Sequence, residues 1–468
     1  MIWNLGAQEN RIAVEEHLTS YTYAELKQIT EKIASQVEER CLVFLLTKNT
    51  IGSLAGYLSF LDHGIVPLML DEKIDRSLLN NLIDQYKPRY LWVPEEMVSE
   101  FESFHFKFSG WNYSLLETGI KESFSLHPDL ALLINTSGSI GSPKLVRQSY
   151  KNILSNAESI IDYLGIDSQE KAITSLPMNY VYGLSVINSH ILAGASIVLT
   201  DLNCYTAAFW NLFDKKQVTS FSGVPFMYEM LHKLRFTKEE HPSLRTMTQA
   251  GGKLSPEMQE FFGTYAHNSG KRFFVMYGAS EATSRMGYLP DRDALRKSGS
   301  MGFAIPGGRF ELIDEEGVPI TESGRPGELV YYGSNVMLGY AYIGADLKNA
   351  DEYHGRLITG DMAYRDEEGY YYISGRKSRF IKILGKRLSL DETEMLLKNH
   401  FPDVQIACGG KDDLLCVFIT DSKIQKDIAA YLNQTIQINH ALCRVILIEE
   451  IPKNTAGKTL YAELNKLI

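Results

Sequence analysis

Residues 136–144, TSGSIGSPK, concentrate groups that bind negative charge. Gly138 and Gly141 can take positive φ, which lets successive backbone N–H groups turn to one side. A concavity of that kind holds anions. Thr136, Ser137 and Ser139 add hydroxyl donors, and Lys144 adds a mobile cation. Polyphosphate is the guest that suits these groups; taken alone, the loop could also be a plain flexible turn. It is not a Walker A loop, because the G-x-x-x-x-G-K-[ST] spacing is absent. The sequence AGKT at 456–459 copies the end of that motif, but Pro452 stands where its first glycine belongs. Lys458 therefore needs another explanation.

Such a loop must hang on rigid elements. TYAELKQITEKIASQVEE places Leu26, Ile29, Ile33 and Val37 at helical spacing. CLVFLL is a short continuous apolar run, the mark of a strand covered on both faces. IGSLAGYLSFLDHG predicts a helix ending near Gly64, IVPLML the next strand, and RYLWVP and LALLIN two more. This βαβ rhythm predicts an α/β body with a parallel sheet. It returns in the helix YKNILSNAESIIDYLG and the strands ASIVLT, VTSFSGVP and RFFVMYG. After about residue 300, RFELIDEEG, GELVYYGSN, RLITGDMAYRDEEGYYYISGR and RFIKILGKRL alternate with period two between Gly and Asp turns, a β-rich segment. From Ser378 the tail shows helix LDETEMLLKNHF, strand LLCVFIT, helix KIQKDIAAYLNQ and strand RVILIEE, enough for a small α+β domain of about 90 residues. The expected organisation is a large α/β domain at 1–376 and a small C-terminal α+β domain at 377–468, joined by a hinge.

Bulk properties narrow the class. The chain has 468 residues, 44% of them hydrophobic and 22% charged, ordinary for a globular protein with ample core. Its net charge of −10 disfavours a nucleic-acid partner. Five widely spaced cysteines, with no CxxC pair, fit reduced thiols better than a disulfide framework. Residues 172–200 carry no Lys, Arg, Asp or Glu, yet Pro177, Asn179, Asn188 and His190 interrupt them. They predict a buried loop, helix and strand lining an interior site, not a membrane span, which needs about 20 mostly apolar residues. No basic-then-apolar secretory pattern is visible at the start, so a cytoplasmic location is expected.

The phosphate-type loop has companions in a fixed order. MYGASEAT (276–283), GELVYYGSNVMLGY (327–340), LITGD (357–361), GRKSRFIKILGKRLSLDETE (375–394) and PKNTAGKTLY (452–461) follow it. With TSGSIGSPK, this series resembles the signature motifs of the adenylate-forming superfamily, which comprises acyl-CoA synthetases, adenylation domains and firefly-type luciferases. Six motifs in order over residues 136–461 are far more specific than any one. The resemblance implies a large body with a small mobile C-terminal domain. It also implies activation of a carboxylic acid by ATP to an acyl-adenylate, followed by transfer to the thiol of CoA or of the phosphopantetheine on a carrier protein.

The same resemblance assigns roles. Thr136, Ser137, Gly138, Ser139, Gly141 and Lys144 would hold the β- and γ-phosphates. Glu281 would bind Mg²⁺, a hard cation that prefers carboxylate oxygen. Ser280, in place of the commoner Thr, would reach the α-phosphate. Tyr277, beside Gly278, would face adenine, with Gly251 and Gly252 allowing close approach. Asp361 would take the ribose hydroxyls, assisted by Arg376, and Lys458 would be the catalytic cation. Ser378 falls at the hinge position, where rotation switches the enzyme between adenylation and thiol transfer. Departures from the pattern are Ile140 for Thr, Ser378 for Asp or Lys, and Tyr461 for Arg.

The acid and the acceptor are less defined. The acyl pocket is expected from Tyr180, Val181, Tyr182, Ser185, Pro225, Phe226, Ala250, Met276, Ala279 and Met286, Tyr180 standing where acyl-CoA synthetases often carry a gating His. The acid-free run 172–200 lacks the carboxylate that an α-ammonium would need, so a fatty, hydroxy or aromatic acid is expected over an amino acid. The basic residues Lys377, Arg379, Lys382, Lys386 and Arg387 could meet CoA phosphates or an acidic carrier protein, or merely be solvated. Rival expectations are a luciferase-like adenylating oxygenase, an amino-acid adenylation enzyme and a non-catalytic nucleotide-binding paralogue.

Overall fold

The computed structural model describes every residue except 1, 4, 7, 136–143, 384–385, 437 and 455–456. The chain divides into two compact units, Met1–Arg309 with Tyr331–Leu357, and Phe310–Val330 with Ile358–Ile468.

Two large mixed sheets build the first unit. One has the order Phe303–Ala304, Gly287–Leu289, Arg272–Tyr277, Thr246–Gln249, Ser220–Gly223, Lys171–Ile173, Ser196–Leu199, Ile12–Glu16, Thr19–Thr22. Its inner pairings are parallel and its two margins antiparallel. The other runs Gly339–Ala341, Leu145–Ser149, Leu130–Asn135, Val66–Asp71, Leu42–Thr47, Tyr90–Pro94, Tyr113–Glu117, His105–Gly110. The run LVFLLT is buried at all six positions, as a strand covered on both faces requires.

Helices Ile51–Asp62 and Val181–Leu192 share one core with residues of both sheets. Both are buried almost throughout, which accounts for the absence of charge in residues 172–200: an unpaired ion there would lose its hydration without compensation. Helix ends follow local chemistry. Ser149 accepts from the Asn152 N–H to start Tyr150–Leu164, and Gly165 at φ +63° closes it. Thr22 and Glu25 form a reciprocal cap on Tyr23–Ala34. The short helix Ala207–Lys215 and the longer Pro256–Asn268 were not among the sequence expectations.

In the second unit, a three-stranded sheet, Ile406–Lys411, Leu414–Ile419 and Cys443–Leu447, shares a core with helices Leu390–His400 and Gln425–Ile436. Strands Phe380–Ile383 and Lys386–Ser389 form a hairpin. A further sheet has the order Arg309–Ile313, Gly327–Tyr332, Arg356–Arg365, Tyr371–Arg376. Sequence texture put 358–376 with the large body. In space they group with the C-terminal residues, because the Arg376 N–H donates to Asp391 Oδ2 (2.9 Å) and Gly375 lies close to Ser389 and Asp391.

No helix among the described residues is long and apolar enough to cross a membrane. All five cysteines are free thiols. Burial pushes Cys41 and Cys204 up to about 12 and Cys443 to about 11, and raises Cys408 and Cys416 as well. None is an activated nucleophile.

Candidate active site

Thr136, Ser137, Gly138, Ser139, Ile140 and Gly141 lie outside the described residues. The elements that flank them are clear. Strand Leu130–Asn135 leads in, and Leu145–Ser149 leads out and pairs antiparallel with Gly339–Ala341, Val146 opposite Tyr340. Lys144 is two residues before Val146, so it shares that face and is diagonal to Tyr340. Its Nζ sits 3.6 Å from the centre of the Tyr340 ring. The Tyr340 hydroxyl donates to Glu281 Oε1 at 2.7 Å. Burial and the neighbouring Glu281 carboxylate both raise this phenol, so it remains a donor. A cation, a ring and a carboxylate thus stand in a row that begins at Lys144, the first described residue after position 143.

Glu281 lies in the 3-10 turn Ser280–Ala282 after the strand Arg272–Tyr277. Its backbone carbonyl accepts from Met337 N–H (2.8 Å), and the Ser280 carbonyl accepts from buried Gln148 Nε2 (3.1 Å). Asn335 completes the clamp: its Nδ2 donates to the carbonyls of Ala282 (2.7 Å) and Arg285 (3.0 Å), and its Oδ1 accepts from Tyr331 (2.7 Å). The turn is tight. Thr283 and Ser284 take φ of +54° and +102°, which non-glycine residues rarely adopt. A Cβ on Gly278 would run into the Ser284 carbonyl and its carbonyl carbon, both backbone. Gly278→Ala is therefore expected to destabilise the first unit by about 3 kcal/mol, the upper range for overpacking. A thermal melt checks this; an unchanged midpoint would show that the turn yields.

Of the acyl-pocket residues, Tyr180, Tyr182, Ser185 and Met276 come together. The Tyr180 and Tyr182 rings meet edge to face at 6.3 Å. Tyr182 Oη donates to the Thr248 carbonyl (3.0 Å), and Ser185 Oγ to the Tyr182 carbonyl (2.7 Å). Gly251 has φ +84° and lies against the Tyr180 hydroxyl, where any side chain would collide. Ala250 is buried beside it, and Gly252 accepts from Gln249 Nε2 (2.9 Å) next to Pro225. Phe226 is half-buried and edge-on to Tyr205 (5.9 Å). Tyr277 and Ala279 are half-buried at the head of the turn. Met286 is fully buried and its N–H donates to the Tyr277 carbonyl (2.8 Å). Val181 is buried in the main hydrophobic core, against which Tyr180 also packs.

In the second unit, buried Asp361 pairs through Oδ1 with Arg376 Nε at 2.7 Å, its register partner across two antiparallel strands. Thr359 Oγ1 accepts from the Asp361 N–H (3.1 Å) while donating to Leu329 O (2.8 Å). Lys458 is exposed on a tight reversal held by the bridge Lys453–Thr459 and by Asn454, whose Oδ1 accepts from the Lys458 N–H (2.9 Å). Ser378 lies in the 3-10 turn Lys377–Arg379. Two of the basic residues considered for CoA are committed elsewhere. Lys377 pairs with Glu328 (2.7 Å), and Arg379, only 11% exposed, pairs with Asp391 and with Glu394 (3.3 Å). Tyr461 covers that cluster: the Arg379 guanidinium lies 3.4 Å from its ring centre, and its hydroxyl donates to Glu394 (3.0 Å). The residue that departs from the family pattern thus has a structural use.

The sequence reading missed Tyr340, although it ends a motif already quoted, and Asn335, Gln148 and Arg285. The described part of the site is a fixed turn whose carboxylate is held by the ring that lies under Lys144. A sequence profile described as AMP-binding enzyme matches residues 3–341, and the chain belongs to that family. Indoleacetate–CoA ligase of Aromatoleum aromaticum is 26% identical over 99% of this chain and 96% of its own. The 2-succinylbenzoate–CoA ligase of Listeria monocytogenes is 24% identical over 93% and 92%. Among solved structures, O-succinylbenzoate coenzyme A synthetase from Bacillus subtilis with ATP and magnesium ion superposes with a TM-score of 0.78 at 21% identity, over 97% of this chain and 96% of that one, a likeness of fold. The chain is an ATP-dependent, AMP-forming ligase.

Proposed function

We propose that the chain joins a carboxylic acid without an α-ammonium, aromatic or otherwise largely apolar, to the thiol of CoA by way of an acyl-adenylate. The observation that carries this is the Lys144–Tyr340–Glu281 row, with the acid-free pocket wall next in support. Residues 136–144 hold the β- and γ-phosphates. Among the described residues no three His, Cys, Asp or Glu side chains cluster to hold a metal. That suits Mg²⁺, which takes one or two carboxylates and completes its shell with substrate phosphates and water. Glu281, oriented by Tyr340, would hold the ion, which when bound would neutralise phosphate charge.

Tyr277 and Gly251–Gly252 flank the adenine, Ser280 donates to the α-phosphate and Asp361 accepts from the ribose, its carboxylate fixed by Arg376. A carboxylate oxygen of the acid attacks the α-phosphorus and pyrophosphate leaves. Lys458 neutralises the oxygens on which charge accumulates. The thiolate of CoA then attacks the acyl carbonyl and AMP leaves. Residues 377–468 act as the mobile domain, turning at Ser378 between the two steps, in a cytoplasmic enzyme. CoA is favoured over a carrier-protein thiol because the similar curated ligases are named for CoA.

The experiment is pyrophosphate release over a panel of acids, with CoA, with phosphopantetheinylated carrier protein, or with neither. Acid- and Mg²⁺-dependent release and an acyl-CoA product are expected. Release with thioester formed only on the carrier protein would overturn the assignment of CoA, and oxygen uptake without a thioester would overturn the transferase step.

A further inference from the structure

Among the described residues two arginines are buried, Arg147 and Arg285, and Arg379 is nearly so. Arg147, with no side-chain exposure, pairs with Glu352 at 3.1 Å, and Arg379 with Asp391 and Glu394. Arg285, 1% exposed, has no carboxylate partner among the described residues. Its Nε donates to Ser185 Oγ (3.1 Å), its Nη1 to Tyr163 Oη (3.1 Å) and, more weakly, to Met276 Sδ (3.4 Å), and its guanidinium stands 5.1 Å from the Tyr182 ring centre. All are neutral. No hydrogen bond from Nη2 is found among the described residues. Burying an unpaired guanidinium costs several kcal/mol, more than a cation–π contact and a few neutral hydrogen bonds recover.

Among the described residues no carboxylate forms an ion pair with Arg285. Residues 172–200, which provide Tyr182 and Ser185, contain no acidic residue. Glu281, four residues earlier, forms no ion pair with Arg285, and its Oε1 accepts from Tyr340. Burial, and secondarily the Arg285 charge itself, push the nearby His190 down to about 4, against a hydrogen bond to Val186 O, so it is neutral. The guanidinium is the one formal charge held by this group of pocket residues.

We propose that the acid activated by this enzyme bears a second, distal carboxylate that pairs with Arg285. The inference rests on the ligase reading above and narrows its substrate to dicarboxylic acids. Three of the four side chains that touch Arg285, namely Ser185, Tyr182 and Met276, are expected to line the acyl pocket, which puts the cation with that group. A planar carboxylate matches the guanidinium fork in two parallel hydrogen bonds. An acid with a neutral tail leaves the buried charge unpaired.

The test compares acids that differ only at the far end: adipate with hexanoate, and 1,4-phenylenediacetate with 4-methylphenylacetate, each followed by pyrophosphate release. The wild type is expected to prefer the dicarboxylate of a pair by about 30-fold in kcat/KM, the low end for a buried charge pair. Arg285→Met is expected to abolish that preference by lowering the dicarboxylate rate about 30-fold and leaving its neutral-tailed twin within about threefold. Arg285→Lys keeps part of the preference. Equal or better wild-type rates with the neutral-tailed twins overturn the proposal, as does an Arg285→Met variant that slows both members of a pair by one factor, the mark of a structural role. If Arg285→Met does not fold, the wild-type comparison decides alone. If no acid in either panel drives release, the ligase reading itself falls, and this inference with it.

Discussion

Lys458→Ala is expected to lower acid-dependent pyrophosphate release by about 10²–10³-fold, the loss usual when one preorganised electrostatic contact to a transition state is removed. The acid and ATP both carry negative charge, and attack of one on the other concentrates it on the carboxylate and α-phosphate oxygens. A cation that meets those oxygens only as they react raises kcat rather than tightening the ground state. The effect should therefore fall on kcat, with KM for ATP little changed. The reversal that carries Lys458 is fixed by the Lys453–Thr459 bridge and by Asn454, which bonds the Lys458 backbone. Alanine keeps those contacts, so the fold of the second unit should survive. A second measurement isolates the step. With pre-formed acyl-adenylate and CoA supplied, thioester formation should stay within a few-fold of wild type, because in the proposed cycle residues 377–468 turn away from the adenylation pose before the thiolate attacks. Wild-type pyrophosphate release in Lys458→Ala would remove it from catalysis. Equal loss in both half-reactions would make it a general structural or binding residue.

Much of the first unit was legible in the sequence because its signals are local. The run LVFLLT can only be a strand covered on both faces, and YKNILSNAESIIDYLG brings its own cap and glycine stop. The motif order located Glu281, Asp361 and Lys458, since spacing along the chain is what a motif records. Contacts between distant segments were not legible. Tyr340 reaches Glu281 only because strand Gly339–Ala341 lies in register beside Leu145–Ser149. Asn335 props the 282–285 turn from fifty residues away. Arg285 next to a quoted motif carried no sign of burial, as an isolated arginine is normally solvated. Texture placed 358–376 with the large body, whereas by contacts they group with Phe310–Val330 and the C-terminal residues. Alternation of polar and apolar residues predicts a strand but not the sheet or helix it will join.

Glu281→Gln is expected to reduce kcat/KM about 100-fold at physiological Mg²⁺ and to shift the Mg²⁺ requirement upward. Loss of a supporting partner alone costs a metal site 10- to 100-fold, and Glu281 is proposed as the ligand itself. Glutamine is close in shape, still accepts from the Tyr340 hydroxyl, and leaves the Met337 and Gln148 contacts to the turn backbone intact. Only the charge is lost. Hard cations bind an amide oxygen far less well than a carboxylate, so raising Mg²⁺ should recover part of the activity. Tyr340→Phe provides the control. It removes the hydroxyl that orients Oε1 and keeps the ring under Lys144, so the loss should be smaller, about 10-fold, and again lessened by excess Mg²⁺. Titrating pyrophosphate release against Mg²⁺ for the three proteins separates the cases. A wild-type titration curve for Glu281→Gln would exclude Glu281 as the metal ligand. A deep loss in Glu281→Gln that no Mg²⁺ concentration relieves would instead place its charge in the turn's own integrity.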